Sequence, residues 1–167
     1  MINSELRLRP ATPDDVTVLF DLIQALAEYE TLSHAVTGSA EALQEHLFST
    51  HPYVEAIIAE VQGKAVGFAL FFHNYSTFLT QPGIYLEDLF VLPEYRRQGI
   101  GKALIRYLAQ LAVERGCGRL EWSVLDWNEP ALAFYRRMGA SILPDWRICR
   151  VTGEAIAAIA TTEVSKF

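Results

Sequence analysis

The sequence predicts an α/β fold: a single domain with a mixed, mostly antiparallel central sheet and a parallel βαβ unit at its core. Three observations lead there. Strand-like and helix-like runs follow one another in the order β-α-α-β-β-β-α-β-α-β-β. The middle of the chain, a strand over 84–92, a helix over 99–115 and a strand over 120–125, is a βαβ unit, so its two strands should be parallel. The chain has 167 residues, 51 % of them apolar, with no repeat or interdomain linker, which suits one core over 1–167.

From the start, Glu5 to Arg9 alternates polar and apolar residues around Leu6 and Leu8, a first strand ended by Pro10. Thr12-Pro13-Asp14-Asp15 supplies a hydroxyl cap, a proline at the first helical position and acids in the first turn. A helix should run from there to about Tyr29, burying Val16, Leu19, Phe20, Ile23 and Leu26 or Ala27. Residues 30–38 read as loop, and 39–48 as a short second helix. Residues 54–61 and 65–72 form an antiparallel hairpin around Gln62-Gly63-Lys64. A polar and aromatic loop, 73–83, leads into the strand 84–92, which Pro93 stops.

In the next helix Ile100, Leu104, Leu108, Leu111 and Ala112 share a face, with Lys102, Arg106, Gln110 and Glu114 opposite. Arg115-Gly116 ends it. After the strand 120–125, Asn128 caps a helix with Pro130 in its first turn and Gly139 at its end. Residues 140–143 and 147–151 read as strands, and 154–160 as a short closing helix.

A formal charge of −6 argues against a nucleic-acid face, which needs a basic surface, and suits a small cationic substrate. Cys117 and Cys149 are too few for a disulfide scaffold or a thiolate metal site. His34, His46, His51 and His73 show no metal-binding spacing, so no metal is expected. The start has no apolar signal core and no apolar run reaches about 18 residues, so no membrane span and a cytoplasmic location are expected.

The strand 84–92 runs into a loop with two arginines and then a glycine turn that opens a helix. Such a turn leaves several backbone N–H groups pointing one way, with the positive end of the helix dipole behind them, a site for a pyrophosphate. A P-loop run is absent. A dinucleotide fingerprint lacks its third glycine, because Leu104 stands there, although Glu121 lies where a ribose-binding acid would. Arg96-Arg97-Gln98-Gly99-Ile100-Gly101 fits the pattern Arg/Gln-x-x-Gly-x-Gly/Ala in full. That run resembles the acetyl-CoA pyrophosphate loop of the GCN5-related N-acetyltransferase (GNAT) superfamily.

Two further features have two readings each. Glu87 and Asp88 are adjacent acids in an apolar strand, so one projects from each face. They are either an edge pair, one solvated and one salt-bridged, or a site carboxylate beside the phosphate-binding turn. Tyr135 lies on the stripe Ala131, Phe134, Tyr135, Met138, where an aromatic alone reads as core. Yet Asn128-Glu-Pro followed by Phe134-Tyr135 resembles the later acetyltransferase motif, in the family's order after the glycine turn.

Ala27-Glu-Tyr-Glu30, Tyr85-Leu-Glu-Asp88, Tyr95-Arg96 and Asp126-Trp-Asn-Glu-Pro130 are similar to the diamine (spermidine/spermine-type) and thialysine N-acetyltransferases. The resemblance implies acetyl-CoA as cosubstrate, a small amine as acceptor and a homodimer. It places the pantetheine along Leu89, Phe90 and Val91 and the pyrophosphate on Arg96, Arg97, Gln98, Gly99, Ile100, Gly101 and Lys102. Asn128, Pro130, Ala131 and Tyr135 complete the cosubstrate side. Tyr29, Glu30, Glu87, Asp88 and Trp127 are implied on the amine side. The segment between Ala140 and Trp146 is short, leaving Asp145 as the one acid there, and Asp126 replaces a Glu. Both departures bear on polyamine-length recognition more than on acetyl transfer.

A free Glu at about 4.3 cannot readily deprotonate an alkylammonium at about 10.4, a gap of roughly 8 kcal/mol. Glu87 therefore orients the amine, or acts as base through a water once attack has made the nitrogen acidic. A phenol near 10 suits protonation of a leaving thiolate, which assigns Tyr135 as acid, and a backbone N–H of 89–91 faces the oxyanion. A peptide or antibiotic amine as acceptor, and a non-catalytic acyl-CoA-binding module, are the other readings.

Overall fold

The computed structural model describes residues 6–161; Glu5, the expected start of the first strand, lies outside the described residues. The chain divides into two units, one ending at Leu125 and the other starting at Asp126. In the first, β1 (Leu6–Pro10), β2 (Glu55–Val61), β3 (Lys64–Ser76), β4 (Gln81–Val91) and β5 (Arg119–Trp122) form a sheet in the order β1-β2-β3-β4-β5. All neighbours are antiparallel except β4 and β5, which are parallel as the βαβ rule requires. Pro10 is the last residue of β1 rather than the first beyond it, tolerated because β1 is an edge strand.

Helices α1 (Val16–Tyr29) and α2 (Ala40–Phe48) cover one face. There Leu19, Leu22 and Leu47 pack with Ala56, Ile58, Phe68, Leu70 and Phe90. Of the stripe expected on α1, Val16 and Leu19 are buried while Phe20, Ile23, Leu26 and Ala27 are half-buried; Leu22 takes the deep position. α3 (Ile100–Glu114) buries Ile100, Leu104, Ile105, Leu108 and Ala112 and lies against the sheet's other face. Leu111, expected in that stripe, is half-buried and Ile105 replaces it.

The expected loop 73–83 shrinks to a turn at 77–80, because Phe72 to Ser76 pair with Gln81 to Tyr85. Backbone pairing needs a neighbouring strand, not apolar side chains, so the polar composition misled. β5 stops at Trp122, short of the expected Leu125, because β4 no longer runs beside it.

In the second unit α4 (Glu129–Arg137) starts at Asn128, whose side-chain oxygen accepts the Ala131 N–H at 3.3 Å, and α5 (Glu154–Thr161) follows. The strands expected at 140–143 and 147–151 are not formed: this segment is exposed and irregular apart from one turn. Apolar alternation gives only a propensity, and a strand exists where a second backbone takes up its N–H and C=O groups.

One ionic cluster ties α1 to the sheet. Arg9 donates through Nη1 and Nη2 to both oxygens of Asp15 (2.6 and 2.7 Å) and through Nε and Nη2 to Glu60 Oε1 (2.9 and 2.6 Å). Asp15, buried at the start of α1, also accepts the Thr12 N–H and hydroxyl at 2.7 and 2.9 Å. The Arg9 guanidinium holds its carboxyl well below the usual carboxylate range. Asp15→Ala should cost on the order of 2 kcal/mol in urea denaturation at pH 7, because it leaves Arg9 with Glu60 alone and takes the acceptor from two Thr12 donors. A lowered pKa contributes stability above the unfolded value of about 4, so the gap between variant and wild type should narrow as pH falls below that.

Candidate active site

β4 is held along its whole length on one side and only at its start on the other. It pairs with β3 from Gln81 to Val91, but with β5 only from Gly83 to Leu86. The β3 register jumps from Phe71↔Leu86 to Leu70↔Asp88, so Glu87 is an extra residue in a β-bulge. Before the bulge the even-numbered residues face β5, since the Pro82 carbonyl accepts the Gly118 N–H at 2.9 Å. After it the odd ones do. The Leu92 N–H donates to the Val66 carbonyl at 2.9 Å, which makes 66/92, 68/90 and 70/88 the hydrogen-bonded pairs with β3. The N–H and C=O groups of Leu89 and Val91 therefore point to the side that β5 has left. Phe90, expected with them along the pantetheine, turns its backbone toward β3 and its side chain into the core, 4 % exposed.

The same bulge sorts the acids. Asp88 lies opposite Leu70 and so projects, with Phe90, from the face covered by α1 and α2. Glu87, the bulge residue, is exposed. Asp88 is pushed up to about 6 by burial first, then by the charges of Glu87 and Glu30. Glu30, just past α1, is also raised, by burial. Glu30 and Glu87 thus lie near enough to Asp88 for their charges to raise it, where the strand opens. None of the three has a cation within ion-pair distance among the described residues, which sets aside the salt-bridged edge-pair reading for Asp88.

Beyond β4, a helical turn at Pro93–Tyr95 leads to the arginines. Arg96 folds back: its Nε donates to the Val91 carbonyl at 2.8 Å, and its guanidinium lies 4.3 Å from the Tyr29 ring centroid and 5.4 Å from that of Phe90. Arg97, Gln98 and Lys102 are exposed. Arg97 has φ 63° and Gly99 φ 86°, both left-handed, a conformation that glycine tolerates and arginine adopts at a cost. Gly99 caps α3 without a side-chain bond, and the first amide bonded within the helix is Ala103, to the Gly99 carbonyl at 2.9 Å. The amides of Ile100, Gly101 and Lys102 have no acceptor in the helix, the donor set an anion such as a pyrophosphate takes up.

In the second unit, Asn128, Ala131 and Tyr135 follow one another at helical spacing along one face of α4. Asn128 is buried, and because the cap uses its oxygen, its amide NH₂ is what it can offer a ligand. Tyr135 is half-buried, 5.2 Å from Phe134 ring to ring. Pro130 and Trp127 are exposed, and so is Asp145.

Three elements were not visible in the sequence: the bulge, the inward turn of Arg96, and a bond between the Tyr85 hydroxyl and Ser123 Oγ at 2.7 Å where β4 and β5 part. Among the described residues no group of three or more His, Cys, Asp or Glu could hold a metal, and no helix is long and apolar enough to cross a membrane.

A family model described as the acetyltransferase (GNAT) family matches residues 19–140. The thialysine N-epsilon-acetyltransferase of Bos taurus is 40 % identical over 92 % of this chain and 96 % of its own length. The L-ornithine N5-acetyltransferase of Arabidopsis thaliana is 34 % identical over 92 % of this chain and 87 % of its own. An integron cassette protein from the mobile metagenome of V. cholerae superposes with a TM-score of 0.79 at 25 % identity, covering 96 % of this chain and all of its own.

A carboxylate whose pKa is raised is costly once charged. Above pH 6 Asp88 is ionised in both folded and unfolded states and destabilises the fold by up to about 3 kcal/mol; below about 4 it is neutral in both and the cost is gone. Asp88→Asn should therefore be more stable than wild type at pH 7.5 and nearly equal to it at pH 4, measured as denaturation midpoints at the two pH values.

Proposed function

The chain belongs to the GNAT acetyltransferase family, and we propose that it moves an acetyl group from acetyl-CoA directly to a primary amine of a small di- or polyamine or a thialysine- or lysine-like amino acid. The observation that carries the acceptor class is the set Glu30, Glu87 and Asp88 beside the open stretch of β4. Such a set attracts a cation, and burial makes it want one. The two relatives named for thialysine and ornithine support an amino acid with a distal amine.

In this reading the backbone of Leu89 and Val91 pairs with the pantetheine arm along the edge that β5 leaves free. An N–H on that edge faces the carbonyl oxygen as it gains negative charge. The amides of Ile100, Gly101 and Lys102 hold the pyrophosphate, with the Arg97, Gln98 and Lys102 side chains around it. Asn128, Pro130 and Ala131 are assigned to the same cosubstrate by the family motif at the start of α4. Glu87 orients the amine and takes its proton through a water after attack, when the nitrogen has become acidic. Tyr135 gives its phenolic proton to the departing thiolate. Tyr29 and Asp88 are assigned to the amine, and so, from the family motif, is Trp127. The proposal extends to one catalytic domain over 1–167, acting as a cytoplasmic homodimer; exposed apolar residues such as Trp146, Ile148 and Ile159 support a second chain as cover.

Thiol release from acetyl-CoA, followed with putrescine, spermidine, thialysine, ornithine and lysine, tests the acceptor. A saturable response to at least one is expected; silence across the panel with acetyl-CoA still bound would discard the acceptor class. Tyr135→Phe should lower kcat at least 100-fold with acetyl-CoA affinity within about threefold. A normal rate removes Tyr135 as the acid. For Glu87→Gln the loss should fall on kcat/KM of the amine, by roughly 10²-fold, and not on acetyl-CoA binding. Equal losses in both would show a general defect of the fold.

A further inference from the structure

The Arg96 side chain opens the glycine motif yet turns away from it. Its three contacts belong to two different parts of the proposed site. The Tyr29 ring, 4.3 Å from the guanidinium, ends α1 next to Glu30, and so lies on the side of the three acids. The Val91 carbonyl, 2.8 Å from Nε, is one of the groups that the bulge turns toward the open edge of β4. Phe90, between the two along the chain, packs under the guanidinium from the core at 5.4 Å.

We propose that Arg96 is a positioning residue that couples the two halves of the site: the stack on Tyr29 and the bond to Val91 make filling of the β4 edge set the ring beside the amine. This deepens the acetyl-transfer reading and rests on it. The physical reason is the shape of the guanidinium. Its Nε–H lies in the plane of the group, and its face stacks on an aromatic ring, so a single rigid unit satisfies both partners. A shift of Val91 as its outward groups engage a ligand is passed to the plane of Arg96, and from there to Tyr29, without an intervening flexible bond in the charged group. Tyr29 is 40 % exposed and its ring meets no other ring or cation among the described residues, so this stack is what orients it. An ammonium has no plane to stack and no Nε, and lysine at this position loses the link while keeping the charge.

Coupling is reciprocal, which gives a readout that a purely structural or purely phosphate-binding arginine would not move. Calorimetry with CoA, which cannot react, and thialysine measures each affinity with the other ligand absent and saturating. In the wild type CoA should tighten thialysine at least fivefold, and thialysine should tighten CoA by the same factor. Arg96→Met, Arg96→Lys and Tyr29→Leu should each bring that factor close to one, whatever each variant does to CoA affinity alone. A wild-type factor of one overturns the proposal. So does an Arg96→Met variant that keeps the wild-type factor while binding CoA more weakly, the behaviour of a phosphate ligand. If neither thialysine nor ornithine binds at all, the acceptor class fails, and the link is judged on the protein alone by a double-mutant cycle of Tyr29→Leu and Arg96→Lys in urea denaturation. Non-additive effects support the contact between ring and guanidinium, and additive ones overturn it.

Discussion

The site depends on one constraint: β4 has two neighbours at its start and one at its end. β5 pairs with it for four residues and stops, while β3 continues to Val91. A strand half-released in this way exposes backbone groups that the fold does not satisfy, normally a liability that invites another chain. Here the bulge at Glu87 determines which groups those are. One extra residue moves Leu89 and Val91 to the open side and Asp88 to the face of α1 and α2. A single local irregularity therefore sets the backbone donors and the acid position together, and a substitution that removed the bulge would misplace both.

The electrostatics follow from the same geometry. Arg9 and Asp15 show how this protein treats an acid it needs for structure: buried, with a bidentate guanidinium and two further donors. Asp88 is treated in the opposite way. It is partly buried, raised in pKa by burial and by the charges of Glu87 and Glu30, with no cation in ion-pair distance among the described residues. A fold that supplies a partner to one acid and not to another leaves the second free to meet a cation, as the proposed amine site requires.

Much of the fold was readable because its signals are local. The proline and acids at 13–15, the glycine turn before α3 and the cap at Asn128 each fix an element boundary through a short-range bond or a φ angle. What was misread depended on a neighbour. The strand extensions at 73–76 and 81–83 exist because the two segments pair. Residues 140–151 carry a strand pattern and form no strand. The bulge was hidden for the same reason: Glu87-Asp88 reads as two adjacent acids in a strand until the register against Leu70 and Phe71 is known. The arginine motif was legible as a motif, but the turn of Arg96 onto Tyr29 joins residues 67 positions apart that no spacing rule connects.

The charge of the site also bears on turnover. An ammonium drawn into the field of Glu30, Glu87 and Asp88 gains from each of them, and acetylation turns that ammonium into a neutral amide. The reaction thus removes the interaction that held the acceptor, so the acids favour substrate over product without any movement of the chain. In the proposed reaction Glu87 takes the proton lost by the amine through a water, and the raised Asp88 beside it adds to the field that holds the ammonium before attack. In the proposed reaction, the cost that Asp88 imposes on the free protein and its preference for an ammonium over an amide are two consequences of one raised carboxylate.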